Sequence, residues 1–172
     1  MEIVREWRDR PAETRGAVLA IGNFDGVHRG HQALLKRAQQ IAEDRGAKAG
    51  VMVFEPHPRA FFQPERAFFQ LTPLQRKLRL MELFGLDVAA VVRFDADLAS
   101  LTADAFVQQV LVDGLQISHA VAGYNFFFGK GRGGNPAVLQ ELCAQAGIGV
   151  EIVDAVGGAG ETFSSTRARE SL

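Results

Sequence analysis

The sequence predicts an α/β fold, a Rossmann-like parallel sheet with helices on both faces, and three observations carry that prediction. Five short β-rich apolar runs recur along the chain, and amphipathic stretches of helical period separate them. The long unpatterned stretches all begin where a predicted strand ends, which is where open parallel sheets hold their ligands.

In chain order, the first strand is predicted at residues 17–21, the run AVLAI. A helix over 30–45 follows, with Ala33, Leu34, Ala38 and Ile41 on one stripe and Gly46 as its stop. The second strand is predicted at 49–54, then a loop over 55–71. Thr72 reads as the N-cap and Pro73 as the first residue of a helix reaching Phe84 and stopping at Gly85. A strand at 88–93, a helix at 102–112 and a strand at 120–123 come next. After a loop over 125–135, a helix at 136–146 is halted by Gly147, a last strand spans 149–153, and a loop covers 154–163.

Bulk properties narrow the function. The 172 residues are 47% hydrophobic, enough for one domain with a real core. Nineteen Lys and Arg against twenty Asp and Glu give a net charge of -1, so no general field draws in nucleic acid or an anionic membrane. Any anion must be held locally. No secretory pattern opens the chain and no apolar run reaches the ~18 residues of a membrane span, so a cytoplasmic protein is expected. The single cysteine, Cys143, excludes an internal disulfide and reads as core packing.

Chemistry concentrates in two short segments. In GNFDGVHRGH, residues 22–31, Gly26 and Gly30 permit a tight turn into the first helix, whose start offers N–H groups and partial positive charge to an anion. His28 and His31, three apart, fall on one side of such a turn and can donate hydrogen bonds to phosphate oxygens. A capped turn with structural histidines is the plain alternative, and metal ligation a further one. In FSSTRAR, residues 163–169, Ser164, Ser165 and Thr166 offer hydroxyls, and Arg169, three after Thr166, brings a guanidinium to the same side; an ordinary helix cap is the alternative. A third segment sets Lys130 and Arg132 among Gly129, Gly131, Gly133 and Gly134. It is either a loop that closes over phosphates or a solvated turn. His119 reads as structural.

Together the early His-x-Gly-His and the late Ser-Ser-Thr with Arg169 resemble the nucleotidylyltransferase superfamily. In detail AIGNFDGVHRGHQALL, VFEPHPRAFF, LTPLQRKLRLMELFGLD, AGYNFFFGKGRGGN and FSSTRAR resemble the FMN adenylyltransferase (FAD synthetase) module of bacterial bifunctional riboflavin kinase/FAD synthetases, over about residues 17–172. The resemblance implies the nucleotidylyltransferase fold and transfer of AMP from ATP to FMN, giving FAD and pyrophosphate. Magnesium is implied as cofactor, with ligands the sequence does not identify. It assigns catalysis to His28, His31 and Arg169, with His31 stabilising the α-phosphate under attack by the FMN phosphate. Gly22, Asn23, Phe24, Asp25, Gly30, Ser164, Ser165 and Thr166 are expected along the nucleotide. Pro56, His57, Pro58, Phe62, Asn125 and Phe128 are expected around the flavin, with Phe61 and Phe106 nearby, although phenylalanines are also ordinary core.

The chain departs from many relatives at Asn125, where an acid is common, and at Phe127, where a basic residue is common. An amide can hydrogen-bond substrate but does not ligate magnesium as a carboxylate does. Relatives normally continue into a riboflavin kinase barrel, which residues 1–172 are expected to lack, so one adenylyltransferase domain with ATP and FMN as partners is the expectation. The alternatives are a sibling small-molecule nucleotidylyltransferase and a non-catalytic flavin- or nucleotide-binding module.

Overall fold

The computed structural model of the chain describes residues 1–24, 29–63 and 73–154. Its strands are β1 (Glu2–Val4), β2 (Val18–Ile21), β3 (Ala49–Glu55), β4 (Val88–Arg93), β5 (His119–Gly123) and β6 (Gly149–Val153). They form one parallel sheet in the order β1-β4-β3-β2-β5-β6. From β2 the chain steps outward through β3 to β4, then crosses back to β5 on the other side of β2. The direction of winding therefore reverses between β2 and β5, the topological switch point of a Rossmann-like sheet.

The helices are α1 (Arg29–Arg45), α2 (Pro58–Phe62), α3 (Leu74–Phe84), α4 (Ala96–Ala99), α5 (Ala103–Ala105) and α6 (Pro136–Gln145). Strand residues alternate between two apolar layers, as the two-residue period of a pleated strand requires. Val18, Ala20, Val51, Val53, Ala89 and Val91 pack with Leu34, Leu35, Ala38 and Ile41 of α1 and with Leu78 and Met81 of α3. Leu19, Ile21, Met52, Ala90, Val92 and Ala122 pack on the opposite face with Phe106, Val110, Leu111, Leu139 and Cys143. Helices thus cover both faces, and β2 is buried at every position.

Local chemistry sets the ends. Gly85 at φ 100 closes α3, its N–H donating to the carbonyls of Glu82 and Met81. The Asn135 side chain caps α6 by accepting from the Val138 N–H at 2.9 Å, with Pro136 next in the chain. Between β3 and β4 only glycine fits at position 50: a Cβ there would stand 2.4 Å from both Cγ1 and the carbonyl oxygen of Val88.

Four expectations change, the loop over 55–71 among them, since Pro58–Phe62 within it form α2. β1, a three-residue edge strand with one buried side chain, Val4, adds a sixth strand. Pro73 occupies the cap of α3, whose first helical residue is Leu74; Thr72 lies outside the described residues. The helix expected at 102–112 begins as α5, capped by Thr102, and continues as a π-helix over Phe106–Gly114. Its closing bond runs from the Leu115 N–H to the Val110 carbonyl at 2.8 Å, the wide i→i+5 pattern that recurs at functional sites.

Candidate active site

A cleft of about 820 Å³ opens beyond the carboxyl ends of the strands, across the ends of the paired strands β2 and β5. Its size suits a small-molecule ligand.

One end is polar. After β2 the chain turns through Gly22, whose N–H donates to the Met52 carbonyl at 3.2 Å, then Asn23 and Phe24. Asn23 lines the cleft and its Oδ1 is buried without a hydrogen-bond partner among the described residues. Phe24 has left-handed backbone (φ 54) and a fully buried ring that meets His31 edge-on at 5.0 Å. Its side chain belongs to the core and does not line the cleft. Gly30 and His31 do line it, from the first turn of α1, where backbone N–H groups and the helix dipole favour an anion.

The other end is aromatic. Leaving β3 through a cis Glu55–Pro56 peptide, the chain reaches His57, whose Nδ1 accepts from the Arg59 N–H at 3.1 Å and caps α2. That bond places the proton of a neutral imidazole on Nε2, making it a donor. His57, Pro58 and Phe62 line the cleft, whereas Pro56 is exposed and stands outside the lining. Phe94, just past β4, packs edge-to-face on Phe61 at 5.4 Å and Phe62 at 5.7 Å. Opposite, Phe126 and Phe128 stack at 5.4 Å and 11°, and Phe128 rests on Phe106 of the π-helix at 5.4 Å. Asn125 also lines the cleft. Arg132, also left-handed (φ 55), lays its guanidinium over the exposed Phe127 ring at 4.5 Å, a cation–π contact. Lys130 stands outside the lining.

The structure therefore gathers Gly22, Asn23, Gly30, His31, His57, Pro58, Phe62, Asn125 and Phe128 around one space. Asp25, His28, Ser164, Ser165, Thr166 and Arg169 lie outside the described residues. Arg59, Phe94 and Tyr124 also line the cleft without having been picked from the sequence; for Phe94 and Tyr124 the position just past a strand end was the available signal, whereas Arg59 lies within α2. Away from the cleft, His119 begins β5 with a pKa lowered by burial and by nearby Arg45. Burial pushes the Cys143 thiol up to about 11.

No group of three or more metal-capable side chains occurs among the described residues. None of the helices among them is long and apolar enough to cross a membrane.

A family model described as FAD synthetase matches residues 10–167. A bifunctional riboflavin kinase/FMN adenylyltransferase of Pseudomonas fluorescens is 41% identical over 172 residues, covering 100% of this chain and 55% of its own length. Its counterpart from Escherichia coli K12 is 40% identical over 161 residues, covering 94% and 51%. The chain spans about half the length of the curated relatives it matches. The crystal structure of a macrolide-efflux protein from Streptococcus pneumoniae superposes with a TM-score of 0.86 at 24% identity, covering 100% of this chain and 56% of that one, a likeness of fold. On the family match and the identity to these relatives, this chain belongs to the FAD synthetase family.

Proposed function

We propose that this chain is a cytoplasmic nucleotidyltransferase domain that moves AMP from ATP to FMN, yielding FAD and pyrophosphate. The observation that carries the reading is a single cleft joining an anion-binding turn to an aromatic wall. Such a cleft suits a substrate pair with phosphates at the reacting end and an isoalloxazine ring at the other. The two activities in the relatives' names are divided accordingly: adenylyl transfer is assigned to residues 1–172, and riboflavin kinase activity is not.

In the reaction a phosphate oxygen of FMN attacks the α-phosphorus of ATP. The bond from that phosphorus to the bridging oxygen breaks, and pyrophosphate leaves with the electron pair. No covalent nucleophile on the protein is needed; placement and charge stabilisation supply the catalysis. His31 at the start of α1 donates to the α-phosphate oxygens as charge builds on them. N–H groups of the same turn hold the neighbouring phosphates, and the proposed roles of His28, Ser164, Ser165, Thr166 and Arg169 are on this polyphosphate. Phe62 and Phe128 flank the flavin, Pro58 stiffens the loop beneath it, and His57 donates through Nε2. Bound with ATP, magnesium would supply positive charge to offset the charge of the pyrophosphate. It needs only one or two protein carboxylates, and Asp154 is the carboxylate among the described lining residues.

Incubation of the purified chain with ATP, magnesium and FMN, followed by pyrophosphate and FAD measurement, tests the reading. Turnover is expected, with a roughly 10²- to 10³-fold lower kcat in His31→Ala at an unchanged melting temperature. Stoichiometric FAD binding without turnover points instead to a binding module. Turnover with a different phosphorylated acceptor points to a sibling enzyme.

A further inference from the structure

Among the described residues, the proposed reaction leaves one buried cation, Lys77, unassigned. Lys77 lies on the inner stripe of α3 with Leu78 and Met81, and only 1% of it is exposed. Burying an ammonium is expensive unless it is paired and hydrogen-bonded, and among its interactions Nζ donates to the carbonyl oxygen of Asn23 at 2.6 Å, a short charge-assisted bond. The bond crosses from α3 to the turn that lines the polar end of the cleft.

Its stereochemical effect follows from peptide planarity. With the Asn23 carbonyl drawn toward α3, the N–H of Phe24, on the far side of the same trans peptide, points the opposite way. Phe24 then sits in a left-handed conformation that a residue with a Cβ adopts only when its surroundings enforce it. Its buried ring is the surface on which the His31 imidazole rests. The linkage runs from ammonium to carbonyl by a hydrogen bond, from carbonyl to ring through the covalent chain, and from ring to imidazole by packing.

We propose that Lys77 is a positioning residue: its ammonium clamps the Asn23–Phe24 peptide and, through the Phe24 ring, fixes His31 at the polar end of the cleft. The inference rests on the adenylyl-transfer reading for its kinetic consequence. Loosening the clamp misplaces the group that stabilises the transition state and leaves the aromatic end untouched, so kcat falls while KM for FMN holds.

The test compares Lys77→Met, which removes the donor, with Lys77→Arg, which retains a charged one, both in the whole chain. Readouts are kcat, KM and the carbon-13 resonance of His31 Cε1 recorded without substrate. Lys77→Met is expected to lose roughly 10²-fold in kcat with KM for FMN unchanged, and its His31 resonance to move. Lys77→Arg is expected to recover most of both. An unchanged kcat or an unmoved resonance in Lys77→Met overturns the proposal, as does a loss that Lys77→Arg fails to recover. If Lys77→Met does not melt cooperatively, Lys77→Arg decides alone: activity and resonance retained support the clamp, and their loss overturns it. A parent protein that makes no FAD overturns the adenylyl-transfer reading, while the substrate-free resonance still judges the clamp.

Discussion

Adding one methyl group at Gly134 tests whether the aromatic wall is a fixed surface. An ideal Cβ there falls 2.5 Å from Cε1 and Cζ of Phe128 and 2.7 Å from its Cδ1. Ordinary carbon contacts begin near ~3.5 Å, so the ring must retreat by about 1 Å. It has little room to do so. Phe126 stacks on it and Phe106 supports it, both at 5.4 Å, while paired backbone bonds of 2.9 and 3.2 Å tie residues 128 and 134 together. Gly134 is not among the left-handed residues, so alanine adds crowding without backbone strain. Overpacking of this kind costs about 1–3 kcal/mol, or roughly 2–12 °C in Tm for a domain of this size. If the displaced ring also forfeits its stacking on the flavin, about 0.5–1.5 kcal/mol of affinity goes with it, roughly 2- to 13-fold in Kd. Gly133→Ala is the control, since its Cβ meets nothing closer than the Lys130 carbonyl at 3.4 Å. Thermal melts and fluorescence titration with FMN read both effects. A Gly134→Ala protein that melts and binds like the parent, or a Gly133→Ala protein equally impaired, refutes the reasoning.

Two more predictions concern groups remote from the cleft. His119 has its pKa lowered in the fold by burial and by Arg45, so the unfolded chain takes up the proton first as pH falls below about 6.5. Its contribution to stability is therefore complete above that pH and declines on acidification; urea midpoints across the acid range are expected to fall less steeply in His119→Gln, and an identical decline in the variant contradicts the assignment. Cys143, fully buried with a thiol pushed up to about 11, is expected to resist a thiol reagent in the native protein and to react once urea unfolds it; stoichiometric labelling of the native state is the contrary result.

The central strands were legible because each is covered on both faces, so a run such as Val88–Arg93 declares itself without knowledge of its partners. β1 escaped notice because an edge strand with one buried side chain carries almost no pattern. The π-helix was not foreseeable from period alone. It brings Gly114 against Trp7, where a Cβ would stand 2.7 Å from the indole ring, a contact between distant parts of the chain that a local reading does not contain. In the site, residue chemistry suggested His31, His57, Asn125 and Phe128, and the fold supplied their common cleft. Phe24 illustrates the limit of motif reading, since Gly22 and Asn23 before it line the cleft while its own ring turns inward. Lys77 had a signal in plain view: with Leu74, Leu78 and Met81 it keeps helical spacing, which puts a lysine where the stripe calls for an apolar residue.

The reversal of winding between β2 and β5 has a mechanical corollary. Residues before the crossover supply the turn, α1 and α2, and residues after it supply Asn125 through Gly129 and Arg132 with Asp154, so each flank holds only part of the cup. A small molecule seated there acts as a crossbar between the early and late portions of the chain, recognising only the fully assembled sheet. Occupancy at a hundred times the dissociation constant then adds about 2.7 kcal/mol to the cohesion of the two flanks at once, so that the supply of ligand sets how firmly the two sides of the molecule are held together.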